Sequence, residues 1–201
     1  MLLTESAKGA ATRAHILEEA AAEASLVGLT GLTIGRLAAR TGMSKSGLFR
    51  HFGSKEQLQV QTLTLGVERF KDVVVRPALK EPRGPGRIVT LFEGWLSWAT
   101  GKGFPGGCLF VTASVEMDDQ PGPVRDYVEQ TQRDWLELIG RAAGHAVEAE
   151  SFRSALDTEQ VAHEFNSLLL AFQQADRLLR DPKAADRAQA QFNRLIGDAR
   201  S

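Results

Sequence analysis

The chain has 201 residues, of which 43% are hydrophobic, and its formal net charge is −1. This composition is that of an ordinary soluble globular protein with one or two domains. The apolar run Met1-Leu2-Leu3 is too short for a signal peptide, and no stretch approaches the roughly 20 apolar residues of a membrane span. The lone cysteine, Cys108, excludes an intramolecular disulfide and fits a reducing compartment. We therefore expect a cytoplasmic protein without a membrane partner.

The near-neutral total hides an uneven distribution of charge. Residues 1–55 carry seven Lys or Arg and four Glu, a net charge of +3, whereas the remaining 17 Lys or Arg and 21 Asp or Glu give −4. No Asp or Glu occurs between Ala24 and Lys55, a segment with five basic residues: Arg36, Arg40, Lys45, Arg50 and Lys55. Because phosphate contacts provide much of the affinity for nucleic acid, this distribution predicts a nucleic-acid partner at one end of the chain.

The predicted elements begin with an alanine-rich helix over residues 8–24, whose apolar positions recur with helical spacing. Gly28 and Gly31 are expected to break the chain after it. Thr33 is a candidate N-cap for a second helix of about two turns, and Gly42 is its candidate C-cap.

A third helix is predicted to begin after the N-cap Ser44, with Leu48 and Phe52 facing inward. Its outward positions are Lys45, Ser46, Phe49 and Arg50. A second cap, Ser54, then opens a long helix. Two short helices joined by a tight glycine turn are typical of the helix-turn-helix, whose second helix enters the major groove of DNA. The alternative is a solvated basic face on an ordinary helical hairpin.

The same region resembles the N-terminal domain of the tetracycline-repressor (TetR) family of bacterial regulators. The residues that carry the resemblance are Thr33, Leu37-Ala38, Gly42-Met43-Ser44, Leu48-Phe49, His51-Phe52, Lys55 and Leu58. Phe49 stands where the family usually has Tyr, so a hydroxyl often used on a phosphate is absent. Residues 106–125 also resemble the regulatory domain of one TetR subgroup.

The motif positions and their orientation suggest roles on DNA. Lys45, Ser46 and Arg50 are expected to meet base edges or phosphates, and Gly47 to allow a close backbone approach. Phe49 is expected to pack on a thymine methyl group or a sugar. Four residues are expected to position the DNA-binding head, residues 1–54, on phosphates: Thr33, Ser44, His51 and Lys55. Arg13 has two alternative interpretations, a contact with a phosphate or an exposed charge on the first helix.

The rest of the chain is also predicted to be helical, so the fold class is all-α. Helices are expected over residues 55 to about 80, 88–99, 108–117, 124–143 with a weakening at Gly144, 157 to about 180, and from 181 onwards. The glycine-rich residues 101–107 are interpreted as a helix connection and not as a phosphate cradle. We predict a DNA-binding domain over residues 1–54 and a regulatory and dimerisation domain over residues 55–201.

The last two helices are amphipathic, which by itself most often means the core of a single chain. The TetR resemblance implies instead that they form a four-helix dimer interface, and two-fold symmetric DNA half-sites require two heads held together. The residues predicted at this interface are Phe165, Leu168, Leu169, Phe172, Phe192 and Leu195.

An effector pocket is the second feature that the resemblance implies. Apolar and polar side chains of the helical body, residues 55–201, are candidates to line it: Trp95, Trp98, Phe110, Glu116, Trp135 and His163. The alternative is that the aromatic residues simply fill the core between helices.

These observations predict a homodimeric, ligand-responsive transcriptional repressor that binds a palindromic operator and a small-molecule effector. We expect no enzymatic activity, catalytic residue, cofactor or metal ion. An activator or architectural protein with the same head is an alternative. Another is a small-molecule carrier or enzyme of the helical body in which the basic head is incidental.

Overall fold

The computed structural model describes residues 7–200, with side chains from residue 9 onwards. Every regular element in this range is helical, which confirms the predicted all-α fold class. The Met1-Leu2-Leu3 run lies outside the described residues. None of the helices between Ala7 and Arg200 is long and apolar enough to cross a bilayer.

The first three helices are α1 (Ala7–Gly31), α2 (Ile34–Thr41) and α3 (Lys45–Phe52). α1 extends beyond the predicted residue 24. It is interrupted at Gly28, whose φ of 78° and ψ of 167° are not helical. Gly28 therefore breaks the helix as predicted, whereas Gly31 is the last residue of one further turn.

Side-chain and glycine caps delimit these short helices. Thr33 Oγ1 accepts a hydrogen bond from the Arg36 amide at 3.2 Å, and Ser44 Oγ accepts one from the Gly47 amide at 3.1 Å. Gly42 ends α2 in the left-handed region, at φ 66°. Each cap satisfies backbone groups that a helix end leaves without a partner. The predicted limits of the two helices are confirmed.

The remaining helices are α4 (Lys55–Phe70), α5 (Arg76–Lys80), α6 (Pro85–Ser97), α7 (Leu109–Met117), α8 (Pro123–Glu148), α9 (Thr158–Gln173) and α10 (Ala184–Arg200). A π-helical segment, Lys71–Val75, joins α4 to α5, so residues 55–80 form one helical stretch as predicted. Two further π-helical segments, Trp98–Lys102 and Gln174–Leu178, extend α6 and α9.

The two boundaries around residue 150 differ in how well the sequence predicted them. The expected weakening at Gly144 is wrong, since α8 continues to Glu148. A glycine inside a helix costs only about 1 kcal/mol relative to alanine, and the burial of Ala143 and Ala146 offsets that cost. Asp157 caps α9 as predicted, because its side chain accepts hydrogen bonds from the first backbone amides of that helix.

The chain folds into two compact units that are not continuous in sequence. Among the described residues, unit 1 comprises residues 7–68 together with Phe104–Val128, and unit 2 comprises Arg69–Gly103 together with residues 129–200. The functional boundary at residue 54 stays a prediction.

Unit 1 is built on the packing of α7 against α1. The inner face of α1 buries Ile16, Ala20 and Ala24 completely. Where the chain enters α7, the Gly106 amide donates a buried hydrogen bond to Ser25 Oγ at 3.0 Å. A Cβ atom on Gly106 would lie 1.7 Å from the Ser25 carbonyl oxygen, so this approach is open to glycine alone.

Unit 2 is built on a cluster of aromatic rings. Phe92 and Phe192 are stacked, with ring centroids 4.0 Å apart and planes 2° from parallel. Phe165 stands nearly perpendicular to both rings, at 6.0 and 5.8 Å. Trp135 and Phe70 extend the cluster through edge contacts. Edge contacts between aromatic rings add to the stabilisation from burial alone.

We predict that Gly106→Ala lowers the free energy of unfolding by about 1–3 kcal/mol, because the new methyl group meets the backbone of Ser25 and forces the segments apart. The measurement is chemical denaturation. Gly144→Ala is the matched control. No atom outside its own turn of helix lies within 4 Å of its added Cβ, so this helical substitution should raise stability by about 0.5–1 kcal/mol. Equal stability of Gly106→Ala and the wild type would contradict the close packing.

Candidate nucleic-acid interface

α3 has one buried side and one exposed side. Leu48 and Phe52 are buried beneath it, as the sequence predicted. The outer face of α3, defined as Lys45, Ser46, Phe49 and Arg50, is exposed to solvent. Phe49 is 55% exposed, an unusual position for a large aromatic ring with no apolar cover. The face therefore presents two cations, a hydroxyl and an apolar ring together.

The N-termini of α2 and α3 use their own side chains locally. Thr33 and Ser44 cap their helices, and the Ser46 hydroxyl lies 3.2 Å from the Ser44 hydroxyl. The Gly47 amide donates its hydrogen bond to Ser44 Oγ, the cap of α3, and a Cβ atom on Gly47 would lie 3.1 Å from that oxygen. Gly47 thus has a structural reason to be glycine besides the predicted approach to DNA.

Two of the five basic residues counted in the acid-free segment are neutralised within unit 1. Arg36 Nε donates to Glu23 Oε1 at 2.6 Å, and Arg40 Nη1 donates to Glu23 Oε2 at 3.0 Å. Arg40 also donates to Glu19 Oε2, through Nη2 at 2.7 Å. The Glu23 side chain is only 5% exposed, so its charge needs these partners. The hydrogen bond with Glu19 raises the pKa of the Arg40 guanidinium above its usual value.

Arg13 and Lys55 are also engaged. Arg13 donates to Gln61 Oε1 through Nε at 3.1 Å and Nη2 at 2.7 Å, and its guanidinium lies 5.7 Å from the Phe52 ring centroid. It therefore ties α1 to α4, a role that neither sequence interpretation included. Lys55 Nζ donates to the Thr30 carbonyl at 2.9 Å. To contact a phosphate as predicted, Lys55 must either keep the hydrogen bond to the Thr30 carbonyl and reach DNA as well, or release that carbonyl.

His51 lies on the last turn of α3 and is half-buried. Its ring centroid is 6.3 Å from that of Phe52, and the two ring planes are tilted by 52°. The predicted phosphate role of His51 stays a prediction.

Glu116, a predicted pocket residue, contacts the backbone of α1. Its Oε2 accepts a hydrogen bond from the Leu29 amide at 2.7 Å and is 3.4 Å from the Thr30 amide. This carboxylate is hydrogen-bonded to the backbone of α1, and its predicted role in an effector pocket stays a prediction. No local sequence signal predicts this contact, because residues 29 and 116 are 87 positions apart.

The other pocket candidates lie in two different units. Phe110 is buried in unit 1, and in unit 2 the side chains of Trp95, Trp98 and Trp135 are buried in the aromatic cluster. His163 is exposed on α9, where its Nδ1 is 3.0 Å from the Glu159 carbonyl. The pocket role of these five residues stays a prediction.

Two surface grooves of unit 2 share His145. One groove of about 730 Å³ lies between α8 and α9 and includes His163. A second, of about 290 Å³, is lined by Ala78, Leu79, Arg87, Leu91, Leu138, Arg141, Ala142 and His145. His145 Nδ1 is buried without a hydrogen-bond partner. Between residues 7 and 200, no three His, Cys, Asp or Glu side chains converge in a way that would hold a metal ion.

Most of the predicted dimer-interface residues are core residues of a single chain. Phe165, Leu169, Phe172 and Phe192 are at most 2% exposed in the single chain, and their role in a dimer interface stays a prediction. Periodicity shows which face is apolar but not what covers it. Leu168 and Leu195 keep part of their surface. The exposed leucines at the end of this stretch are Leu170, Leu178 and Leu179.

The capped helix pair, the cationic outer face of α3 and the all-helical remainder define a helix-turn-helix DNA-binding protein. Residues 16–61 match the family model for bacterial regulatory proteins of the tetR family, and residues 84–192 match the model for the tetracyclin repressor-like C-terminal domain. The chain belongs to the TetR family of bacterial transcriptional regulators, which confirms the resemblance seen in the sequence.

Solved structures of the same fold cover nearly the whole chain. A TetR transcriptional regulator from Chloroflexus aurantiacus is 25% identical over 94% of both chains, with a TM-score of 0.79. A TetR-family regulator from Cytophaga hutchinsonii is 20% identical over 98% of both chains, with a TM-score of 0.86. AibR, solved in complex with isovaleryl coenzyme A and operator DNA, is 20% identical over 89% of this chain and 97% of its own, with a TM-score of 0.71. No curated protein matches the chain.

Proposed function

We propose that this transcriptional regulator is a ligand-responsive repressor that binds a two-fold symmetric operator as a homodimer. The outer face of α3 is the observation that carries the proposal. It combines groups that bind phosphate, base edges and thymine methyl groups on one exposed side of a rigidly capped helix. The TetR-family neighbour solved with isovaleryl coenzyme A and operator DNA supports the combination of effector and operator binding in this fold.

On this proposal the cations of unit 1 have two different tasks. Lys45 and Arg50 are exposed on α3 and reach phosphates or guanine edges, whereas Arg36 and Arg40 are bound to acidic side chains of α1. Phe49 contacts a thymine methyl group or a sugar. Thr33, Ser44, Ser46, Gly47, His51 and Lys55 place the head on the backbone of the duplex.

The dimer is proposed to form through the outward sides of α9 and α10. On α9 this side carries Leu170, 43% exposed, between the small residues Ser167 and Ala171. On α10 it carries Ala190 and Gly197, both exposed. Small side chains let helices approach closely, and an exposed leucine among them gives a dimer an apolar contact.

The effector is proposed to be a small carboxylate with an apolar chain, bound in the 290 Å³ groove of α5, α6 and α8. Leucine and alanine side chains line most of the groove, and Arg87, Arg141 and His145 supply the polar part. A carboxylate would attract both guanidinium groups. The existing partner of Arg141 is an exposed ion pair with Glu137, which is easily exchanged.

Selection of random duplex DNA by the purified protein tests the proposal as a whole. Enrichment of a two-fold symmetric site, with affinity that falls steeply as salt rises, is the expected result. Failure to enrich any sequence would contradict operator binding. The selected site then serves as the probe for the variants below.

We predict that Lys45→Ala weakens binding to the selected site and reduces the slope of log affinity against log salt by about 1, because one phosphate contact is lost. Arg40→Ala removes the same charge and is the matched control. Its salt slope should stay at the wild-type value while its melting temperature falls, since Glu23 and Glu19 lose a partner. Equal salt slopes for the two variants would contradict the docking of α3.

Leu170→Glu is predicted to convert the dimer into a monomer, because two carboxylates would be buried against each other at the two-fold axis. Sedimentation velocity measures the change, and affinity for the symmetric site should fall to that of a half-site. Val115→Glu, a charge introduced at an exposed apolar position of unit 1, serves as the control and should remain dimeric. A dimeric Leu170→Glu variant would place the interface elsewhere.

We predict that hexanoate raises the melting temperature of the wild type in a concentration-dependent way, as any ligand of the native state does, and that Arg141→Gln abolishes this shift. Arg133→Gln is the matched control, since Arg133 also pairs with a glutamate four residues away on α8 but does not line this groove. The control should respond as the wild type does. An unchanged hexanoate shift in Arg141→Gln would exclude the groove as the carboxylate site.

A further inference from the structure

We propose that Glu116 is a positioning residue for operator binding, which holds the last turn of α1 so that α2 and α3 are presented to DNA in a fixed orientation. The proposal rests on the proposed operator binding of the head. It assigns to a residue of the C-terminal family match, residues 84–192, a direct mechanical role in the N-terminal head.

The first observation is the break in α1. At Gly28 the backbone leaves the helical conformation, so the amides that follow it lose their helical acceptors. Glu116 Oε2 replaces these acceptors, at 2.7 Å from the Leu29 amide and 3.4 Å from the Thr30 amide. A carboxylate that accepts backbone hydrogen bonds forms charge-assisted bonds, which are about twice as strong as neutral ones.

The second observation is the fit of the carboxylate into the break. A Cβ atom on Gly28 would lie 1.8 Å from Glu116 Oε1 and 2.6 Å from its Cδ atom. The space beside Gly28 is therefore occupied by the carboxylate itself. Glycine at this position provides both the positive φ of 78° and the room for Glu116.

The third observation is that the carbonyl groups of the same turn are held from α4. Gln59 Nε2 donates a buried hydrogen bond to the Leu29 carbonyl at 2.7 Å, and Lys55 Nζ donates to the Thr30 carbonyl at 2.9 Å. Side chains from α7 and α4 thus bind both the donors and the acceptors of two successive residues. We call these hydrogen bonds of Glu116, Gln59 and Lys55 to Leu29 and Thr30 the clamp. The α2 N-cap, Thr33, follows three residues after Thr30, so the clamp lies directly before the helix-turn-helix.

These contacts give α7 a direct influence on the head. α7 packs on α1 within unit 1. A shift of α7 by about 1 Å would stretch the 2.7 Å hydrogen bond between Glu116 and the Leu29 amide beyond hydrogen-bond range. Movement of the segment from Phe104 to Val128 would release the turn that leads into α2. Operator affinity then depends on the position of α7 through one carboxylate.

The test compares Glu116→Ala and Glu116→Gln with Asp119→Asn in the full chain. Asp119 is exposed on the same segment, so its variant removes one negative charge without touching the clamp. If Glu116 acted only by repelling DNA, all three variants would bind the operator more tightly. We expect instead that Glu116→Ala binds about tenfold more weakly than the wild type, with an unchanged salt slope. The operator affinity of Glu116→Gln, which retains one acceptor oxygen, should lie between those of Glu116→Ala and the wild type.

Hydrogen exchange of the Leu29 and Thr30 amides provides a readout that needs no DNA. In the wild type both amides should be protected, with faster exchange in Glu116→Ala and an intermediate rate in Glu116→Gln. Unprotected wild-type amides would overturn the proposal even if the variants failed to fold. Faster exchange with wild-type operator affinity would make Glu116 structural only and also overturn it. Because the exchange arm is independent of operator selection, its failure is distinguishable from failure of the proposed function.

Discussion

A helix of eight residues is unstable on its own in water, because nucleation costs more than a few backbone hydrogen bonds return. α2 and α3 are each of this length, so both depend on their caps and on the apolar side chains beneath them. Leu37 and Leu48 are fully buried in unit 1 and fix the inner faces of the pair. The orientation of the outer face of α3 is therefore a consequence of hydrophobic burial below it.

The electrostatics of unit 1 also depend on which charged side chains are buried and which are exposed. A nearly buried carboxylate, Glu23, gathers Arg36 and Arg40, and these ion pairs fasten α2 to α1. The cations of α3 have no such neighbours within the segment from Ala24 to Lys55 and extend outward. Counting charges in a sequence window measures the total, whereas the acidic residues one helix away decide which cations can meet a phosphate.

Most of the head could be predicted from the sequence because its signals are local. The caps Thr33 and Ser44, the glycine at the end of α2 and the inward pair on α3 each act within four residues. The contacts of Glu116 and Arg13 could not be predicted, since each joins residues far apart along the chain. Apolar periodicity in α9 and α10 was equally ambiguous, because a stripe looks the same whether its own chain or a second chain covers it.

The discontinuity of unit 1 bears on how heads and bodies can be exchanged among family members. α7 lies well within the sequence of the regulatory match, yet it covers α1 and reaches the backbone beside Gly28. A head transplanted as one N-terminal segment would leave that surface bare and the turn at Leu29 without its acceptor. Recombination that preserves both would have to carry two separate stretches of the gene, and this links the evolution of the DNA-binding end to that of α7.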